Sequence, residues 1–210
     1  EHAKRISLNV SVLNLMESVE FPPTFRFSAL WQHSLGVAVA SSVLAEATGY
    51  ENLDQAYTCG LIHDIGKLIK IKYDQEGFCE EVASARKSNL DLHEFELINE
   101  CLMHDKLGCL MMEFWKMPPE LSAVIRYHHV EKRAMRAGVK SANLNHLIDI
   151  VYLANILTNR LENGNSGHSV TKAPSSLFLE SLGMKEHNLL EIEHEILMKY
   201  EESVSFLASI

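Results

Sequence analysis

No apolar run in this 210-residue sequence approaches the ~20 residues of a membrane-spanning helix, and no export signal opens it. A membrane span is therefore excluded, and a cytoplasmic protein is expected. The first residue is Glu rather than Met, so the chain reads as part of a longer one. The four cysteines (Cys59, Cys79, Cys101, Cys109) form no CxxC pair and are too sparse for a disulfide scaffold, so they read as reduced core thiols. Positive charge is scarce too: 19 Lys and Arg face 28 Asp and Glu, a net charge of −9. Such a surface repels phosphate backbones, which excludes general nucleic-acid binding. There is no β-branched alternation and no Asn-Gly or Asp-Gly hairpin signal, so no sheet is expected. P-loop, G-x-G-x-x-G and G-x-S-x-G motifs are absent, which removes nucleotide folds and hydrolase elbows.

What is present is helical periodicity. Apolar residues make up 47% of the chain and recur at threes and fours. The first amphipathic helix is expected over about 5–18, carrying Ile6, Val10, Leu13 and Met16. "FPPTFRF" breaks it, because proline cannot continue a helix. Further helices are expected over about 28–48, 53–70, 77–87, 92–102 and 106–115. In "MPPE", Pro119 suits a first helical position, and the helix it starts carries "LSAVIRYHH". A basic loop (131–140), a helix (about 143–162), the loop "NGNSGHSVTKAP" and a final amphipathic helix from Lys185 complete the chain. The class is all-α, a bundle of unequal helices. Three parts are expected: a helical segment at 1–27, a core at 28–162, and a loop with carboxy-terminal helices at 163–210 packing on it.

Several helices aim a ligand-type side chain inward. His33 falls on the stripe of Leu30, Val37 and Leu44, and His63 shares a face with Ala56, Cys59 and Gly66. His104 lies with Leu107, Met111 and Trp115, His128 with Leu121, Val124 and Ile125, and Asn155 with Leu144, Ile148 and Val151. One histidine on an apolar face is ordinarily a satisfied core residue. Five such groups with a carboxylate would cost several kcal/mol to bury without partners. A metal ion removes that cost, since it accepts neutral imidazole and carboxylate together. The pair His63-Asp64 is harder to read, because neighbours on a helix point about 100° apart.

The ordered set His33, His63-Asp64, His104, His128-His129 and a polar residue at 155 resembles the HD superfamily of metal-dependent phosphohydrolases. The closest resemblance is to the HDOD family, with HD-GYP phosphodiesterases as catalytic relatives. It is carried by "LWQHSLGVAVASSVLAEATGY", "AYTCGLIHDIGKLIK" and "MHDKLGCLMMEFWKMPPELSAVIRYHH", and it covers roughly residues 1–160. The resemblance implies an HD-domain-like bundle with one or two divalent ions. One site would be His33, His63, Asp64 and Asn155; the other would be Asp64, His104, His128 and His129, with Asp64 as the bridge. Iron, manganese, zinc or nickel suit such donors, magnesium less well. Asp64 and Lys67 would be the catalytic residues, with Lys67 contacting a substrate phosphate. Implied partners are a small phosphorylated ligand and signalling proteins or domains. The resemblance thus implies either a metal-dependent phosphohydrolase or phosphodiesterase within a bacterial-type signal-transduction domain, or a non-catalytic sensor module.

Two departures qualify it. Asn155 stands where the family has aspartate, a neutral and weaker ligand. After His129 the sequence runs "VEKRAMRAGVK" instead of a DGxGYP-type segment, so nothing supports cyclic-di-GMP as substrate. The basic residues Arg126, Lys132, Arg133, Arg136 and Lys140 are candidates for holding phosphate, Arg126, Lys132 and Arg133 foremost. Asp149 is expected on a polar face. His2, His93, His146, His168, His187 and His194 are expected on the surface or on a helix face, and Trp31 and Trp115 in packing.

Overall fold

Small side chains decide how these helices meet. The computed structural model describes residues 2–22, 24–168 and 170–207, with side chains from Arg5 onward, and among them there are helices and no strand. The order is α1 (His2–Glu17), α2 (Phe27–Ala47), α3 (Leu53–Ile62), α4 (Ile65–Tyr73), α5 (Gln75–Lys87), α6 (Leu92–Ile98), α7 (His104–Phe114), α8 (Pro119–Tyr127), α9 (Ala142–Arg160), α10 (Ser176–Ser181) and α11 (Asn188–Leu207). The all-α expectation holds. No helix among the described residues is long and apolar enough to cross a membrane.

Helix α2 is the axis. Nearly every residue from Leu30 to Ala45 is buried, as expected of a helix without a polar face. It packs against α3, α9 and α11. At Gly60 of α3 an added Cβ would lie 2.6 Å from Val37 O and from Ser41 Oγ, so the two backbones approach as closely as they can. Helix α9 is similarly buried, through Leu147, Ile148, Val151, Leu153, Ala154 and Leu157. Helix α11 contributes Leu189, Ile192 and Ile196 to the same core.

Capping fixes the helix starts. Asn52, Asp74, Asp91, Ser141 and Ser175 each accept a backbone N–H in the first turn. Pro119 opens α8 at a first-turn position, as the sequence predicts.

The one helix expected over 53–70 is two. Its break falls on His63 and Asp64: His63 ends α3 with φ −54 and ψ −36, and Asp64 precedes α4 with φ −97 and ψ 14. The Lys67 N–H bonds to the Asp64 carbonyl at 2.9 Å, a tight turn in place of a helical one. The expected start of α7 moves forward too, so His104 is its first residue. Both shifts have one cause. Helix α4 begins pressed against α7, and a Cβ on Gly66 would fall 1.8 Å from the His104 carbonyl oxygen and 2.8 Å from Gly108 N. Trp115, expected in packing, is exposed at the end of α7. Gly66→Ala is expected to cost about 3 kcal/mol of stability or to prevent folding, because backbone rather than a flexible side chain must give way. Urea denaturation measures it, and a loss below about 1 kcal/mol would contradict this crossing.

Candidate metal centre

The break between α3 and α4 turns His63 and Asp64 into the same interior space. Asp64, 3% exposed, then meets side chains from five other places in the chain. Its Oδ2 lies 3.3 Å from His63 Nε2, 3.8 Å from His33 Nε2 and 2.7 Å from Lys67 Nζ. Its Oδ1 lies 3.4 Å from His104 Nε2 and 3.5 Å from His128 Nε2. His129 closes the second set, with Nε2 3.0 Å from His104 Nε2. Each carboxylate oxygen thus faces its own group of imidazoles. Two sets of potential ligands share Asp64: His33 and His63 on one side, and His104, His128 and His129 on the other.

The outer ring nitrogens explain the orientation. His63 Nδ1 donates to Gly60 O and His128 Nδ1 to Ile125 O, both at 2.7 Å. A carbonyl only accepts, so Nδ1 of each ring carries a proton and Nε2 is turned inward. His104 Nδ1 lies 2.6 Å from Glu96 Oε2, the carboxylate-backed arrangement that orients metal-ligating histidines. Burial depresses the basicity of His33, pushes His128 down to about 4 and holds His129 well below its ordinary value. Burial alone would raise the Asp64 carboxyl, but Lys67 and then His63 outweigh it and keep Asp64 ionised. Neutral imidazoles at His33, His128 and His129 beside an anionic carboxylate suit a divalent cation, which would have to displace the proton that Glu96 favours on His104. A further observation agrees: His33 Nε2, His63 Nε2, His128 Nε2 and Asp64 Oδ1 are buried without a hydrogen-bond partner. Left so, these atoms are costly; with a cation, each is satisfied. The residues present therefore fit a metal.

The remaining candidates are spread around this centre. Asn155 lines a cavity of about 450 Å³ together with Asp91, His93, His128, His129 and Lys132. Its amide oxygen accepts from Asn159 Nδ2 one turn on, at 3.1 Å. Of the basic residues, Lys132 faces that cavity. Arg126 is bound to Asp105, and Arg133 to Asp149 with Nε at 2.8 Å. Arg136 is buried against Asp149 at 2.6 Å and donates to Val130 O. Asp149 is therefore not a polar-face residue. It is fully buried because two guanidinium groups neutralise it.

Sequence reasoning missed four residues. His168 is buried instead of exposed, with Nε2 3.1 Å from Lys67 Nζ and Nδ1 2.6 Å from Asp91 Oδ2. His93 stacks on His129 at 4.3 Å and forms a third group of potential ligands with Asp91 and His129. Glu96 is buried where it accepts from Lys70 Nζ at 2.7 Å and backs His104. Only Asp91 had a local signal, since an aspartate before an apolar helix reads as a cap. His187 and His194 are exposed, and His146 is half-buried beside Thr48. The side chain of His2 lies outside the described residues.

Charge at Glu96 sets a pH dependence. Burial opposes protonation of His104, but the Glu96 carboxylate outweighs it and pushes His104 up to about 9. A folded-state value above the unfolded ~6.5 means stability that is complete below pH ~6.5 and lost as pH rises through about 9. In metal-free protein that loss should be on the order of 1–3 kcal/mol by urea denaturation. Glu96→Gln should remove the slope and lower the His104 titration midpoint, read by NMR. An unchanged midpoint would show that Glu96 does not control His104.

Residues 1–131 match the family of HDOD domains. An uncharacterized protein of Treponema pallidum (strain Nichols) is 26% identical over 135 residues, which span 61% of this chain and 26% of the relative. Among solved structures, an HDOD domain protein of unknown function from Geobacter sulfurreducens superposes with a TM-score of 0.69 at 20% identity, over 96% of this chain and 66% of that one. The MmoQ response regulator of Methylococcus capsulatus strain Bath gives 0.58 at 20% identity, over 81% and 62%. These superpositions show a shared fold. The chain spans about a quarter of the curated relative and under two thirds of the response regulator. With its family match covering more than half of its length, and the ordered histidines and aspartate converging on one buried centre, this chain belongs to the HDOD family.

Proposed function

We propose that this chain is a signal-transduction domain of bacterial type that retains an HD-type metal centre and uses it on a phosphate ester. One observation carries the reading: separate sets of buried imidazoles face the two oxygens of Asp64, and four of those ligand-type atoms have no hydrogen-bond partner. In this reading His33, His63, Asp64, His104, His128 and His129 hold one or two divalent ions of iron, manganese, zinc or nickel type, with Asn155 beside them. Bound there, such ions supply Lewis acidity and neutralise charge on a phosphate.

The chain's own residues do the rest. Gly60 O, Ile125 O and Glu96 fix the orientation of three of the rings. The cavity beside His128 and His129 admits a small phosphorylated ligand, with Lys132 as its cation. Arg126 and Arg133 reach such a ligand only by leaving their carboxylates, so Lys132 is the stronger candidate. The likeness to a response regulator supports a role among signalling proteins or domains.

A second reading, a sensor without catalysis, is favoured by one observation. Lys67, the lysine expected on a substrate phosphate, is fully buried and bound to Asp64. Metal analysis after anaerobic, metal-replete purification tests the centre. Wild type should retain metal and Asp64→Ala should lose it; fewer than about half an equivalent in wild type would sink the metal reading. Turnover of a chromogenic phosphodiester separates the two roles. Metal-dependent hydrolysis, reduced at least ~100-fold in Asp64→Ala, supports the enzyme, whereas a metal-loaded protein without turnover leaves the sensor.

A further inference from the structure

The cavity beside His128 and His129 has an apolar wall. Helix α9 lines it with one face, since Tyr152, Asn155, Ile156 and Asn159 stand three and four residues apart. Leu97 in the last turn of α6, Val130 and Met135 extend the apolar part. Leu97 is 59% exposed and Met135 69%. Single exposed apolar residues are ordinary, but these two share one cavity with the buried Ile156. An apolar group seated there would take all three further out of water.

Asn155 is the polar feature of that wall, in a residue only 5% exposed. Asn159 Nδ2 donates to Asn155 O at 2.9 Å, and a carbonyl only accepts, so the amino end of Asn159 faces Asn155. The same Nδ2 lies 3.1 Å from the Asn155 side chain, whose facing atom is therefore its oxygen. Asn155 Nδ2 is turned the other way, and among the described residues nothing accepts from it. A donor without a protein acceptor on a cavity wall is free for a ligand. Charge on the lining is largely neutralised. Asp91 holds His168, Glu94 is paired with Lys172 at 2.9 Å, and Glu131 accepts from Tyr152 Oη at 3.0 Å and Ser175 Oγ at 2.5 Å. Of the two lining lysines, Lys132 has no ion pair among the described residues.

We infer that the ligand of this cavity carries a single phosphate group esterified to an apolar, uncharged group. Asn155 Nδ2 and Lys132 donate to the phosphate, and Leu97, Met135, Tyr152 and Ile156 cover the apolar part. A ligand with several phosphates would bring several negative charges to one free ammonium beside three carboxylates, which is poor charge complementarity. A volume of about 450 Å³ admits a ligand of the proposed size. Aryl and short alkyl phosphates fit the class; nucleoside polyphosphates do not.

The inference rests on the proposal that this cavity receives a phosphate ester, and two phosphonates separate the two. Their carbon–phosphorus bond is not an ester, so they bind without turning over. Full chain loaded with Mn²⁺ is dialysed to equilibrium against phenylphosphonate and against methylphosphonate. Wild type should hold the phenyl compound at least ~10-fold more tightly, and inorganic phosphate should displace it. Leu97→Ser combined with Met135→Ser, both at exposed positions, should cut that preference at least ~3-fold and leave methylphosphonate affinity unchanged. Asn155→Ala should weaken both phosphonates about tenfold with metal content unchanged. Equal affinities in wild type, or a preference unchanged by the double substitution, overturn the inference and leave the phosphate proposal standing. A bound phenylphosphonate that phosphate does not displace overturns it too. Loss of metal in Asn155→Ala overturns the role given to that side chain. No binding of either phosphonate overturns both the inference and the proposal.

Discussion

A carboxylate kept ionised out of water must be met on all sides by compensating groups, because an uncompensated buried charge costs several kcal/mol. Asp64 imposes that condition on the whole centre. One line of polar contacts runs outward through Lys67 and His168 to Asp91. Another runs through His104 to Glu96, then Lys70, then Glu81. Both begin at a dry carboxylate and end at a carboxylate that water reaches. Read this way, the buried lysine and the buried glutamate are not separate oddities. Each is the step that allows the next charge inward to stay dry.

The adjacency of His63 and Asp64 follows from the same demand. In an unbroken helix their side chains would diverge by about 100°, and one of them would leave the centre. Ending α3 at Ile62 and restarting at Ile65 lets both turn inward. The restart is possible because Gly66 brings α4 onto the first turn of α7, where His104 stands. A glycine three residues after the histidine thus serves the metal centre by letting two backbones touch. Its contribution is geometric, and no polar contact reports it.

The parts of this structure that local sequence encodes were legible in it. The all-α class, the inward faces of His33 and His128, and the start of α8 at Pro119 all follow from periodicity and capping, which act within a few residues; His104 is buried too, but with Asp105, Gly108 and Met112 rather than with the expected stripe of Leu107, Met111 and Trp115. The helix break was not legible, since nothing apolar in "CGLIHDIGKLIK" interrupts the pattern; it is set by packing against α7. Asp149 looked like a surface residue because its rotation from Asn155 takes it off that stripe. Its actual surroundings are Arg133 and Arg136, brought in by a loop with no periodicity to read. His168 is the extreme case, lying 101 residues from the lysine it touches, in a stretch whose glycines and asparagines signal only a loop. Pairings at that range are decided by the assembled fold, so composition around either residue carries no trace of them.

The seven residues of α6 connect the two lines. Asp91 caps its first turn, accepting from His93 N and Glu94 N, while its other oxygen holds His168. Glu96, near the other end, holds His104 and Lys70. One short helix therefore terminates the first line and carries the second. A change of charge at Asp64, whether by protonation or by a cation, alters the pull on both acids at once. Asp91 is also the cap, so the same carboxylate that holds His168 satisfies the backbone at the start of the helix. Two carboxylates five residues apart are thus tied to Asp64, one through His168 and Lys67 and the other through His104.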